Sequence, residues 1–389
     1  MFASMLSRLG YQMARSPVLP LFAQELGAPP ELIGLIVAAS TITGVFMKLP
    51  SGALSDLFGR KRLMVAGGIF FAVPPLLYPL VSDPVVLMLL RFIHGFATAI
   101  FSPVAAAYVA SLATERRGAY LGWFSAGNDL GSTAGPLLGG ALLFYTMSYD
   151  IVFFVVGAIG LWTLLMIWRL PEAPDVPVSH AIGTVPRWRQ LGEGLREVMA
   201  HPAVIFVSLA EAVMYVGFGA FLGFLPLYAK EAALNEMQIA LILAVQMATA
   251  IVAKPLAGRA SDRIGRKAVI VLGLLLCAVS LSLIFNSTSF ALVLLLSALL
   301  GLGIAAITPA TNAMIADLVR AQRLGTAMGL FGTIWDMGEA AGPIIIGLLL
   351  GGLGFSLSFQ VIAAAMAAFA IFFAVLVTEP RSRGQSHSP

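Results

Sequence analysis

Nine charged side chains interrupt stretches that are otherwise apolar. The carboxylates are Asp129, Glu211, Asp336 and Glu339; the cations are Arg8, Arg15, Lys48, Arg91 and Lys254. A carboxylate holds its proton more tightly in a low dielectric and less tightly beside a cation. A site that swaps one surrounding for the other therefore binds and releases a proton. Asp129 with Arg91 or His94 is the first candidate for that chemistry, a static ion pair being the alternative. Glu211, in SLAEAVMYVGFGAF, stands alone on its segment and is a candidate for ligand or proton binding. Asp336 and Glu339 lie three apart on one helical face. They can share a proton, or Glu339 can pair with a neighbouring base. Arg8 and Arg15 flank Tyr11 on one face and suit an anionic or zwitterionic ligand. The competing reading sends Arg8 to the inner surface and pairs Arg15 with an acid. Trp123 and Trp335 are placed either to line an apolar cavity or to pack outward.

Such charges need elements that hide them. Of the 389 residues, 59% are hydrophobic and only 11% charged. A soluble domain carries roughly 25% charged residues, so lipid is the solvent for most of this chain. Backbone groups in hydrocarbon must be satisfied internally, and long unalternated apolar runs leave helices as the solution. Each needs about 20 apolar residues to span. Runs of that length fall near 1–24, 31–54, 63–82, 84–110, 118–147, 150–170, 201–229, 236–257, 267–286, 288–316, 324–352 and 355–378. Twelve spanning helices are expected. The first run lacks a basic region ahead of a clean apolar core, so it reads as a retained helix rather than a leader. With both termini cytoplasmic, 17 of the 23 lysines and arginines fall on the inner side and only Lys230 on the outer. That asymmetry is the positive-inside pattern, and it accounts for the net charge of +4 without nucleic acid.

The polar stretch 171–200 separates two halves, 1–170 and 201–378, and a polar tail runs over 379–389. Its first part is Pro-rich and extended. Its second part, with Trp188, Leu191, Leu195, Val198 and Met199, has the pattern of a short amphipathic surface helix. The halves are copies. An offset of 206 residues relates Pro20 to Pro226, Glu25 to Glu231, Lys48 to Lys254, Asp56 to Asp262, Gly95 to Gly301 and Pro103 to Pro309. After a one-residue slip, an offset of 207 relates Asp129 to Asp336, Gly131 to Gly338, Gly135 to Gly342 and Pro136 to Pro343. Six helices separate each pair, so the copies share one orientation. Parallel repeats of this kind place a substrate cavity at their interface near the midplane.

The repeat includes a phrase: GALSDLFGRKR at 52–62 and GRASDRIGRK at 258–267. Each reads as a tight inner turn whose glycines allow unusual dihedrals. This phrase resembles the signature loop of the major facilitator superfamily. The resemblance implies the twelve-helix fold of that family and a charge latch between halves, holding the outward-open state. Asp56, Arg60, Asp262 and Arg266 match the latch positions, with Gly52, Gly59, Gly258 and Gly265 shaping the turns. Gly131, Gly135, Pro136, Gly139 and Gly140 resemble the antiporter motif of the proton-coupled drug exporters, where Pro136 is expected to kink the helix. Arg91-Phe-Ile-His94-Gly95 resembles another exporter motif, with His94 in place of the usual Gln. Pro17-Val-Leu-Pro20 does likewise.

The resemblance implies proton-coupled export of small amphipathic molecules or drugs by alternating access. A symporter or a flippase for an anionic metabolite, siderophore or lipid is the alternative, and a membrane sensor or enzyme on a permease scaffold a remote one. No metal-spaced His/Cys cluster, G-x-S-x-G turn or phosphate loop is present, so neither enzyme, metal nor cofactor is expected. Cys277 reads as a buried, inert thiol. The expected partners are a small-molecule substrate, protons and the lipid bilayer around a monomer. The short loops point to a bacterial inner membrane.

Overall fold

A computed structural model describes residues 1–112, 117–172, 196, 199–319 and 324–378. The interior of the 171–200 connection and the tail from 379 lie outside the described residues, as do the structural expectations for them.

Every described element is helical. The chain opens with α1 (Phe2–Met13), passes through an irregular turn over Ala14–Val18, and continues as α2 (Leu19–Glu25). The break falls at Ser16, whose φ of −152° and ψ of 132° are extended rather than helical. Pro17 supplies no N–H to the ladder there. There follow α3 (Pro30–Phe58), α4 (Arg60–Leu77), α5 (Pro84–Leu112), α6 (Arg117–Thr146) and α7 (Tyr149–Trp168). The second copy contains α8 (Pro202–Glu231), α9 (Glu236–Ile264), α10 (Arg266–Ile284), α11 (Phe290–Leu318) and α12 (Leu324–Leu376).

Among the described residues, nine helices are long and apolar enough to cross a membrane. The two last expected spans follow one another as the two arms of α12, 53 residues in all. Its direction changes at Gly354, where φ is 67°. α6 runs through Pro136 to Thr146, with that proline inside the helix.

Helices α1 and α3–α7 pack among themselves, as do α8–α12. The most extensive contacts between the groups are α3 on α12 and α6 on α9. Since α9 is the repeat copy of α3 and α12 that of α6, these are one contact seen twice with the halves exchanged. Close packing at the end remote from the basic turns needs small residues. A β-carbon on Gly34 would collide with the Pro343 carbonyl, and one on Gly347 would stand 2.6 Å from the Pro30 carbonyl. One on Gly140 would stand 2.5 Å from Ala240 Cβ. The seam is therefore shut at that end.

At the opposite end, α3 turns into α4 at Gly59 and α9 into α10 at Gly265, with φ of 89° and 100°. A side chain at either position would be strained, which is why the repeated phrase keeps both glycines.

Candidate functional site

The central site is assembled by α1, whose position is set by glycines of α6. A β-carbon on Gly135 would lie 2.6 Å from Gln12 Cβ and 2.9 Å from the Leu9 carbonyl; one on Gly139 would lie 2.6 Å from the Met13 carbonyl. The four-residue glycine spacing thus presses two backbones together. It brings Arg8, Gln12 and Arg15 beside Asp129, Ser132 and Thr133.

Two adjoining cavities of about 200 and 190 Å³ lie between the halves. Together they reach the lower end of the roughly 300–1,000 Å³ range of small-molecule sites. Both are lined by Arg8, Arg15, Trp335 and Glu339. The first adds Asp129, Lys254, Tyr215 and Phe218; the second adds Tyr11, Lys48 and Asp336. The aromatic wall is ordered by ring packing: Tyr215 and Trp335 have centroids 4.6 Å apart, and Lys48 Nζ sits 5.2 Å from the Trp335 ring.

Among the described residues, two ion pairs cross between the halves. Arg15 Nη2 donates to Glu339 Oε1 at 2.5 Å, and Lys48 Nζ donates to Asp336 Oδ2 at 2.5 Å. Arg15, Glu339 and Asp336 are largely withdrawn from solvent, whereas Lys48 is a third exposed. Lys48 thus binds a carboxylate of the other half. Asp336 and Glu339 each hold a separate cation rather than one shared proton.

Asp129 faces the cavity but does not meet the partners expected for it. Arg91 and His94 are fully buried within the first half. Arg91 Nη1 is 3.3 Å from His94 Nδ1, and its guanidinium lies 4.9 Å from the Tyr11 ring. His94 Nδ1 is 2.8 Å from the Tyr78 hydroxyl. No hydrogen bond or ion pair joins either residue to Asp129 among the described residues. Arg91 and His94 point from α5 into their own bundle, and Arg91 lies near the end of α5 remote from the basic turns while Asp129 lies near the middle of α6.

Glu211 is also placed elsewhere. It is buried between α8 and α11, where Thr311 Oγ1 donates to its Oε2 at 2.7 Å. It lines neither central cavity. Trp123 is 70% exposed and lines neither cavity, so the lining role expected for it passes to Trp335 alone. A larger apolar cavity of about 390 Å³, bounded by Phe101, Tyr108 and Phe124, has no charged side chain in its wall. It contains none of the candidate residues.

Among the described residues, Arg60 and Arg266 have partners inside their own halves. Arg60 Nη1 donates to the Ala107 carbonyl at 3.2 Å. Arg266 pairs with Asp262 at 3.7 Å and with Asp317 at 2.8 Å. The side chain of Asp56 lies outside the described residues. Cys277 is buried, its thiol directed to the Leu300 carbonyl.

Sequence reasoning missed Lys48, Lys254, Tyr215 and Phe218 as members of the site. The lysines carried a usable signal, being repeat mates 18 residues into equivalent helices, Lys48 beyond Pro30 and Lys254 beyond Glu236. The aromatics carried none, because aromatic residues are frequent all along these helices.

The profile of the Major Facilitator Superfamily matches residues 1–232 and again residues 207–389. Among curated proteins, an uncharacterized MFS-type transporter of Methanocaldococcus jannaschii is 25% identical over 341 residues, 87% of each chain. Multidrug resistance protein MdtG of Salmonella paratyphi A is 26% identical over 372 residues, 92% of this chain and 89% of that one. Multidrug resistance protein 2 of Bacillus subtilis is 25% identical over 337 residues, 86% of this chain and 83% of that one. Among solved structures, the nucleoside transporter NupG has a TM-score of 0.75 at 16% identity, over 95% of this chain and 97% of that one. A bacterial homolog of the human lysosomal transporter Spinster has a TM-score of 0.76 at 17% identity, over 96% and 93%.

Proposed function

The chain belongs to the major facilitator superfamily of transporters, and on that premise we propose that it exports small amphipathic molecules in exchange for protons. Counting α12 twice at Gly354 and adding the broken α1–α2 and α6 to the remaining long helices makes twelve passes. In this reading the halves 1–170 and 201–378 rock about the central cavity, the 171–200 linker and both termini are cytoplasmic, and the protein works as a monomer in a bacterial inner membrane. The closed end is then the outer one, and the cavity belongs to the inward-facing state.

The observation that carries the proposal is the layer of charges between the halves. Asp336 and Glu339 each hold a cation of the opposite half. Protonating either carboxylate removes half of an inter-half ion pair, so proton binding and separation of the halves are one event. Charges at this depth are costly on lipid-facing helices and are retained where they line cavities. The multidrug resistance names of two relatives support export as the direction.

A second reading, uptake or flipping of an anionic metabolite, siderophore or lipid, has one observation in its favour. Arg8, Arg15, Lys48 and Lys254 outnumber Asp129, Asp336 and Glu339 around the cavities.

The test is proton flux from liposomes loaded with a pH dye, comparing wild type with Asp129→Asn, Asp336→Asn and Glu339→Gln. Amphipathic amines, organic acids and lysolipids are added in turn. Export coupled to protons predicts substrate-evoked proton movement in wild type that at least one carboxylate variant abolishes. Undiminished coupling in all three variants would overturn the proton assignment. Movement of simple organic acids or lysolipids alone would favour the second reading.

A further inference from the structure

The repeat makes Lys48–Asp336 one member of a pair of pairs. Lys254 is the repeat mate of Lys48, and Asp129 is the mate of Asp336. The helices that carry them meet in the same way, α3 on α12 and α9 on α6. Yet only the first pair is made. Lys48 and Asp336 are joined at 2.5 Å, while Asp129 and Lys254 border one cavity of about 200 Å³ without an ion pair between them. Neither has an ion pair with any other described residue.

Arg8 breaks the symmetry further. It lines the same cavity, its repeat mate is the apolar Met214, and no described carboxylate pairs with it. The open side of the interface therefore offers one carboxylate and two cations around a space walled by Trp335, Tyr215 and Phe218. Asp129, Lys254 and Arg8 are each half-buried around that space and have no counter-charge bound to them among the described residues. The closed pair on the other side is satisfied directly; the open set stays available to an occupant. A ligand bearing only a cation satisfies Asp129 and leaves Lys254 and Arg8 repelling it. One bearing only an anion leaves Asp129 beside it. A ligand bearing both charges satisfies all three groups, since a guanidinium fork and an ammonium can share one carboxylate.

Building on the export reading, we infer that Asp129, Lys254 and Arg8 form the polar anchor for a zwitterionic amphiphile. Its ammonium pairs with Asp129, its carboxylate with Lys254 and Arg8, and its apolar body lies on Trp335 and Tyr215. The ligand stands where the repeat would otherwise place a second inter-half ion pair.

The test measures binding to the purified full chain in detergent by calorimetry, which needs no transport. The probes are biphenylalanine, its methyl ester (cation only) and its N-acetyl derivative (anion only). Biphenylalanine is expected to bind at least tenfold more tightly than either derivative. Asp129→Asn should reduce its affinity to that of the N-acetyl probe, and Lys254→Met or Arg8→Met to that of the ester. Lys254→Arg, which keeps the charge, should preserve binding and thereby separate anchoring from misfolding. Equal or tighter binding of the ester, equal binding of the N-acetyl probe, or no binding of any of the three overturns the inference. Binding in the expected pattern without proton flux in liposomes would retain this anchor and sink proton-coupled export alone.

Discussion

Arg15 and Glu339 show what a single buried pair demands. Each is nearly withdrawn from solvent, and each belongs to a different half. Removing one partner of a buried pair costs about 3–5 kcal/mol, whereas replacing both with apolar groups of similar size is often neutral. Glu339→Gln is therefore expected to lower the unfolding free energy by a few kcal/mol in mixed micelles titrated with a denaturing detergent. Arg15→Met combined with Glu339→Leu should regain most of that loss. A single substitution as stable as the wild type would show that water in the cavity already screens the pair. Glu211 provides a second case, because its buried carboxylate accepts from Thr311. Thr311→Val leaves that acceptor unsatisfied, and a loss of about 1–3 kcal/mol in the same titration is expected.

The contact of α1 with α6 depends on glycines used for close approach. At Gly135 and Gly139 a β-carbon would lie 2.6 Å from Gln12 Cβ and the Met13 carbonyl respectively. Gly135→Ala and Gly139→Ala must push the helices apart, at a cost of about 1–3 kcal/mol by analogy with overpacked cores. The displaced helix is the one that bears Arg8 and Arg15, so binding should weaken together with stability. Gly122, on the same helix, has nothing within 4 Å of a built β-carbon. Gly122→Ala is expected to be neutral or slightly stabilising. Thermal unfolding of the three variants side by side checks the contrast, and equal effects would sink the close-approach account.

At the scale of the whole molecule, the seam at the end away from the basic turns is the part that must open for alternating access. Gly140 on α6 and Ala240 on α9 meet across it. A cysteine at Gly140 would place its Cβ 2.5 Å from that of residue 240, so the helices must part by about 1 Å to reach the ~3.5–4.5 Å Cβ separation that a disulfide takes. In a Cys277→Ala background, Gly140→Cys with Ala240→Cys should cross-link under mild oxidation and arrest transport, and reductant should restore it. Continued transport in the oxidised, fully cross-linked protein would mean that this seam does not part during the cycle. The 390 Å³ apolar cavity, by contrast, lies within one half and needs no opening of the seam.

Composition and repetition settled the class of the molecule without coordinates. An apolar chain with few charges has only helices available in lipid, and the recurrence of Lys48 as Lys254 and of Asp129 as Asp336 announced an interface between two copies. The turn glycines were legible too, since the positive φ at Gly59 and Gly265 suits no other residue so well. The spacing of Arg8 and Arg15 placed both on one face, and both line the cavity. Partnership was legible only in kind: Arg15 with an acid and Glu339 with a base were among the readings, and the two meet each other. Arg91 turns into its own bundle toward His94 and Tyr11 and not to Asp129. The same is true of Glu211, which turns to Thr311. Depth along a helix follows from counting residues, because the rise per residue is constant. Which neighbour a side chain meets depends on the rotation and packing of helices distant in sequence. Only the tertiary structure decided that Lys48 binds Asp336 while their copies, Lys254 and Asp129, stand apart across a cavity.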